Sequence, residues 1–103
     1  MPLRDEIAEL LRTPENGAGA PTLDAVESKL TDGYAEALAL DAERWRIERR
    51  LGEVAREASD EPDTREFARL SERLETADGE LARLRSLLGN LQARRRALRG
   101  SRS

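Results

Sequence analysis

Cysteine and histidine are both missing from this 103-residue chain, and it holds one Trp, one Tyr and one Phe. Without Cys there is no disulfide framework. Without thiolate or imidazole, the usual zinc sites, thiol nucleophiles and imidazole bases are excluded. The scarcity of aromatics leaves a compact core thin and favours elongated packing of helix on helix. Long hydrophobic runs are also missing. No apolar stretch approaches the roughly 20 residues that cross a bilayer, and the mean hydropathy is −0.72. The opening segment, Leu3 to Arg12, is charged and amphipathic rather than leader-like. The expectation is a cytoplasmic protein without membrane association. Lysine is nearly missing too. Lys29 stands alone among eighteen basic residues, a bias that a GC-rich bacterial genome would produce and that says little about the fold.

What is present is Ala, Leu, Glu and Arg, the mixture of long helices and coiled coils. The chain is organised around one stretch. Leu23, Val26, Leu30, Gly33, Ala37, Leu40, Arg44, Ile47, Leu51, Val54 and Ala58 recur at alternating steps of three and four. That heptad run marks a helix burying a narrow seam against another helix. At 1.5 Å per residue it would extend about 54 Å. Thr22 is a suitable N-cap, with Asp24 in the first turn. Gly33 and Arg44 are the two seam positions without an aliphatic side chain. Gly33 costs about 1 kcal/mol of helix propensity relative to Ala, which close approach of a neighbouring helix would explain.

Before this stretch, Leu3, Ile7, Leu10 and Leu11 define one face of a short amphipathic helix, ended by Pro14. Residues 13–22 form a Gly/Pro linker. After it, Ser59-Asp60-Glu61-Pro62-Asp63 breaks the periodicity, and Asp63 with Glu66 reads as a capping box. A second seam follows at Phe67, Leu70, Leu74, Ala77, Leu81, Leu84, Leu88, Leu91, Arg95 and Leu98. Folded back on the first, it pairs residues of constant summed position, so that Gly33 meets Leu88, Ala37 meets Leu84 and Leu40 meets Leu81. The expected fold is all-α: a long antiparallel two-helix coiled-coil hairpin with a short N-terminal amphipathic helix, open to dimerisation into a four-helix bundle. The expected organisation is 1–22 for the short helix and linker, 23–98 for the hairpin (helices about 23–58 and 63–98), and 99–103 for a frayed basic tail.

The net charge of −3 conceals a gradient. Residues 1–43 carry ten acids and three bases, residues 44–78 ten and eight, and residues 79–103 one and seven. An antiparallel hairpin lays the acidic stretch 23–43 along the basic stretch 79–98. Arg44, at a seam position with Asp41 and Asp78 in reach, is the candidate that pins the register, since one polar residue in a seam commonly fixes alignment or oligomer state. The cluster Arg94, Arg95, Arg96 and Arg99, continued by Arg102, suggests weak binding of nucleic-acid phosphates. Against it stand the absence of a DNA-binding motif and the acidic helix alongside. Asp60, Glu61 and Asp63 form an acidic tip. A hairpin with tip carboxylates resembles, in outline, the transcript-cleavage and initiation factors that enter the secondary channel of RNA polymerase. That resemblance implies a transcription-machinery binder, although the globular second domain of those factors has no counterpart here. The hairpin also resembles, in size and shape alone, the secreted helical hairpins named for a Trp-x-Gly turn. The turn here is Asp-Glu-Pro-Asp, and the Trp is in mid-helix.

A second apolar strip lies off the seam at Tyr34, Leu38 and Trp45, flanked by Ala35, Ala39 and Ala42. Trp and Tyr on such a strip tend to mark an interaction surface. Two coverings suit it. Ile7, Leu10 and Leu11 of the first helix fold back onto it, or two hairpins pair there into a four-helix homodimer, which the thin core of a single hairpin favours. No catalytic residues, metal ligands or cofactor motif are expected. The function expected is a non-enzymatic helical-hairpin interaction or scaffold protein acting through coiled-coil surfaces on a protein partner or on itself.

Overall fold

In the computed structural model, residues 2–14, 19–57 and 64–100 are described. Of these, 92% are helical, with no strand. Three helices follow in order: α1 (Pro2–Leu11), α2 (Leu23–Glu57) and α3 (Thr64–Gly100), and the two long ones pack against each other as a hairpin. The chain divides into two compact units, Met1–Ala37 with Arg83–Ser103, and Leu38–Ala82. No described helix is long and apolar enough to cross a membrane.

The first unit holds three helical segments. Thr22 starts α2 as the sequence leads one to expect: its Oγ1 accepts from the Ala25 amide at 3.1 Å, and its carbonyl accepts from the Val26 amide. Such a cap typically contributes about 1 kcal/mol. Val26, Leu30, Leu84, Leu88 and Leu91 are buried together with Ile7, whose side chain is fully enclosed. Burial of a side chain like Ile7 is worth about 1.5–3 kcal/mol, which a ten-residue helix needs in order to persist. Gly33 is the point of closest packing. A Cβ placed there would lie within 2.4 Å of Leu88 Cδ2 and 3.5 Å of Ile7 Cδ1. The glycine therefore serves packing: its missing side chain makes room for a leucine from α3 and an isoleucine from α1.

The second unit is a two-helix segment. Ile47, Val54, Leu70 and Ala77 form its buried cluster, with Leu51 and Leu74 packed against them. Phe67 departs from the expected seam, being 47% exposed. Charged pairs bridge the helices beside this cluster. Arg50 Nε donates to Glu66 at 2.9 Å, and Arg73 donates to Glu43 at 3.0 Å.

Candidate interaction surface

The short helix docks on its own chain. Lys29 of α2 donates to the Glu6 carboxylate of α1, and this partner raises the Lys29 pKa above its ordinary 10.5. The stronger tether is Arg94. Its Nη2 donates to the carbonyls of Leu11 and Thr13, both at 3.0 Å, and its Nη1 donates to the carbonyl of Pro14 at 3.1 Å and to Thr13 Oγ1 at 3.3 Å. These carbonyls lie at and just beyond the C-terminus of α1, where helical acceptors lack internal partners and the dipole is negative. A guanidinium, with five donors in a planar fork, suits such a cluster. Arg94 is 8% exposed.

The remainder of the basic patch divides by placement. Arg95 and Arg99 both face Glu27, at 3.6 and 3.7 Å. Arg96 is exposed. The cluster that reads as one cationic patch in the sequence therefore has one member closing a helix end and two beside a carboxylate. The acidic tip, Asp60, Glu61 and Asp63, and Arg102 lie outside the described residues.

Arg44 sits where the seam pattern places it, half-buried, with its Nε 3.1 Å from Asp78 of α3. Asp41 is further, at 3.9 Å. The sequence reading missed Glu48, which lies one turn on and accepts from the same Nε at 3.2 Å. Glu48 first, then Asp78, hold the guanidinium more firmly protonated than usual. Glu43 moves the other way: hydrogen bonds from Arg46 and Arg73 keep its carboxyl below the ordinary carboxylate value. Arg50 is raised by Glu66 and Glu53.

The apolar strip divides as well. Ile7 is buried against the first unit, with Leu10 and Leu11 half-buried. In the second unit, Leu38 is 72% and Trp45 60% exposed. Tyr34, also exposed, accepts a hydrogen bond from Gln92 Nε2 at 2.6 Å. The proposed interface residues thus belong to two places. Ile7, Leu10 and Leu11 serve the chain's own packing, and Leu38 and Trp45 face outward. Trp45 carries the Arg49 guanidinium 5.5 Å from its ring centroid, a cation–π distance. An open groove beside it is lined by Leu38, Asp41, Ala42, Arg44, Trp45 and Glu48. Neither protein-family models nor curated proteins nor solved structures give a match to this chain.

Proposed function

We propose that the chain is a non-enzymatic helical-hairpin module that binds a protein surface, either a partner or another copy of itself, through the outward face of α2 around Leu38 and Trp45. One observation supports this above the others. The chain's only Trp stands 60% exposed beside a 72% exposed Leu. Trp is the residue type most enriched at the energetic centres of interfaces, and isolated apolar strips holding it are uncommon on surfaces with no partner. The rest of the described surface is dominated by paired charges at helix-face spacing, which is the dress of a solvated helix. Nucleic-acid binding draws less support once Arg94 is spent on α1 and Arg95 and Arg99 lie beside Glu27.

Affinity capture from the source organism tests this. The wild-type chain should retain a defined set of proteins, its own copies included, that a folded Leu38→Ser/Trp45→Ser variant loses. Identical capture by the two chains would reject the face as the binding surface.

A further inference from the structure

The groove that holds α1 reads its occupant at three points, all within the first unit. At Gly33 the absent side chain leaves space for Ile7, whose Cδ1 lies 3.5 Å from where a Cβ would stand. Lys29, one turn earlier on α2, takes the carboxylate of Glu6, the residue just before that anchor. Arg94 of α3, itself buried, donates to the carbonyls of Leu11, Thr13 and Pro14, which begin one turn after the anchor. Val26, Leu30, Leu84, Leu88 and Leu91 are the apolar residues buried in the same unit. Two of the three points are cations, and both face acceptors. The groove therefore suits an acidic amphipathic helix that ends one turn past an aliphatic anchor.

We infer that this groove is a docking site for an acidic amphipathic helix of another protein, and that α1 is its built-in competitor. None of its residues belongs to the face around Trp45. As an occupant, α1 is weak by construction. Ile7 is its one buried residue, while Leu3, Leu10 and Leu11 are half-buried. Ten residues do not hold a helix in water, so α1 must order itself each time it docks. A helix kept formed by its own protein makes the same contacts without that cost. The advantage of α1 is its attachment. Residues 12–22 join it to α2, and a connection of this length sets an effective concentration on the order of millimolar. Any second occupant then binds with an affinity reduced by the fraction of chains whose groove is open.

Other occupants fit less well. The α1 of a second copy would meet the same three points, but the exchange replaces each contact by an identical one. It gains nothing over the attached helix and becomes appreciable only near the same millimolar concentration. A basic helix would set like charges against Lys29 and Arg94. A helix that continued past the anchor would use its carbonyls for its own amides, leaving the buried Arg94 guanidinium without acceptors.

A synthetic peptide of residues 2–14, capped at both ends, is the probe, and isotope-labelled full-length protein reports where it binds. The full-length Ile7→Asp variant puts a charge where Ile7 is enclosed, which holds its own α1 off the groove. The peptide should bind this variant with a Kd on the order of 100 µM and the wild type about tenfold more weakly, the ratio that a competitor attached at about 1 mM imposes. Resonance shifts should fall within residues 23–37 and 83–100. Arg94→Ala added to the variant should weaken binding by about tenfold or more. A peptide whose exposed Asp5 and Glu9 are replaced by a covalent staple, which keeps the helix formed, should bind at least about fivefold more tightly. In the wild type, a few times the millimolar effective concentration of peptide should speed amide exchange in the attached α1. Equal affinity for the two chains, undiminished binding by an Ile7→Asp peptide, no gain from the staple, or no binding to a variant of native helicity would each overturn the inference. Where Ile7→Asp unfolds the chain, the wild-type exchange decides, and unchanged α1 amides would overturn it.

Discussion

Gly33 shows how much a missing side chain can decide. Its position against Leu88 follows from the constant-sum pairing of the two seams, and the structure puts a Leu88 methyl where a Cβ would be. Gly33→Ala therefore sets two effects against each other. Helix propensity favours the Ala by about 1 kcal/mol. Forcing a methyl into a filled site costs about 1–3 kcal/mol. Leu88 is buried, with Ile7 close behind Gly33, so the neighbours have little room to give and the overpacking wins. The expected result is a net destabilisation of about 1 kcal/mol, read as a lower denaturant midpoint at unchanged slope. Gly79 and Gly89 provide the contrast. Both are exposed within α3, and a Cβ at either meets nothing within 4 Å. Their Ala variants should stabilise by about 0.5–1 kcal/mol each. If Gly33→Ala gained as much as these two, the close approach would be wrong. Gly33 was legible because a seam position records its neighbour through periodicity. Phe67 was not: the same periodicity placed it in the seam, yet it stands nearly half exposed. Glu48 was missed for a different reason. It does not oppose Arg44 across the seam but lies one turn along the same helix, at an i,i+4 spacing that the apolar periodicity does not mark.

At the scale of elements, the informative case is the docking of α1. Its amphipathic face was plain in the sequence, but its destination was not, because a ten-residue helix carries no record of which groove receives it. The seam pattern gives α3 one buried stripe. In the first unit a third helix imposes another, and Arg94 lies on it, while Arg95 of the expected seam is only half-buried. No hydrophobic pattern identifies such an arginine, since it is buried by donating to carbonyls rather than by being apolar. Arg94→Ala removes four donor contacts and leaves the carbonyls of Leu11, Thr13 and Pro14 without this partner. Hydrogen bonds from a charged group contribute about 1.5–3 kcal/mol. The substitution should lower the local stability of α1 by about that much, read as faster amide exchange over residues 6–13 and earlier proteolysis in the linker. Amides in Leu38–Glu57 should keep their protection. Arg96→Ala, at an exposed site, should change neither reading by more than about 0.5 kcal/mol. Equal effects from the two variants would mean that the Arg94 contacts do not hold α1.

On the scale of the whole molecule, the question is which apolar surface α1 serves. The sequence offered two coverings for the strip at Tyr34, Leu38 and Trp45, the first helix of the same chain or a second hairpin. In the first unit α1 is docked with Ile7 fully enclosed, and in the second Trp45 is 60% exposed. Periodicity alone did not separate them, because it marks which faces are apolar without saying which surface each one meets. A chain beginning at Thr22 turns the distinction into a measurement. It loses Ile7 from the first unit and the acceptors of Arg94, together worth several of the roughly 1.5–3 kcal/mol steps that decide whether a small domain stays folded. Its melting temperature should fall, and by about 4–8 °C for each 1 kcal/mol lost at this size. Trp45 fluorescence should respond differently. The indole is 60% exposed in the full chain, so the emission maximum of the shortened chain should match that of the full chain at equal concentration, as long as both are folded. A red shift on shortening would instead make α1 the lid over Trp45 and would leave the proposed binding face without its central residue.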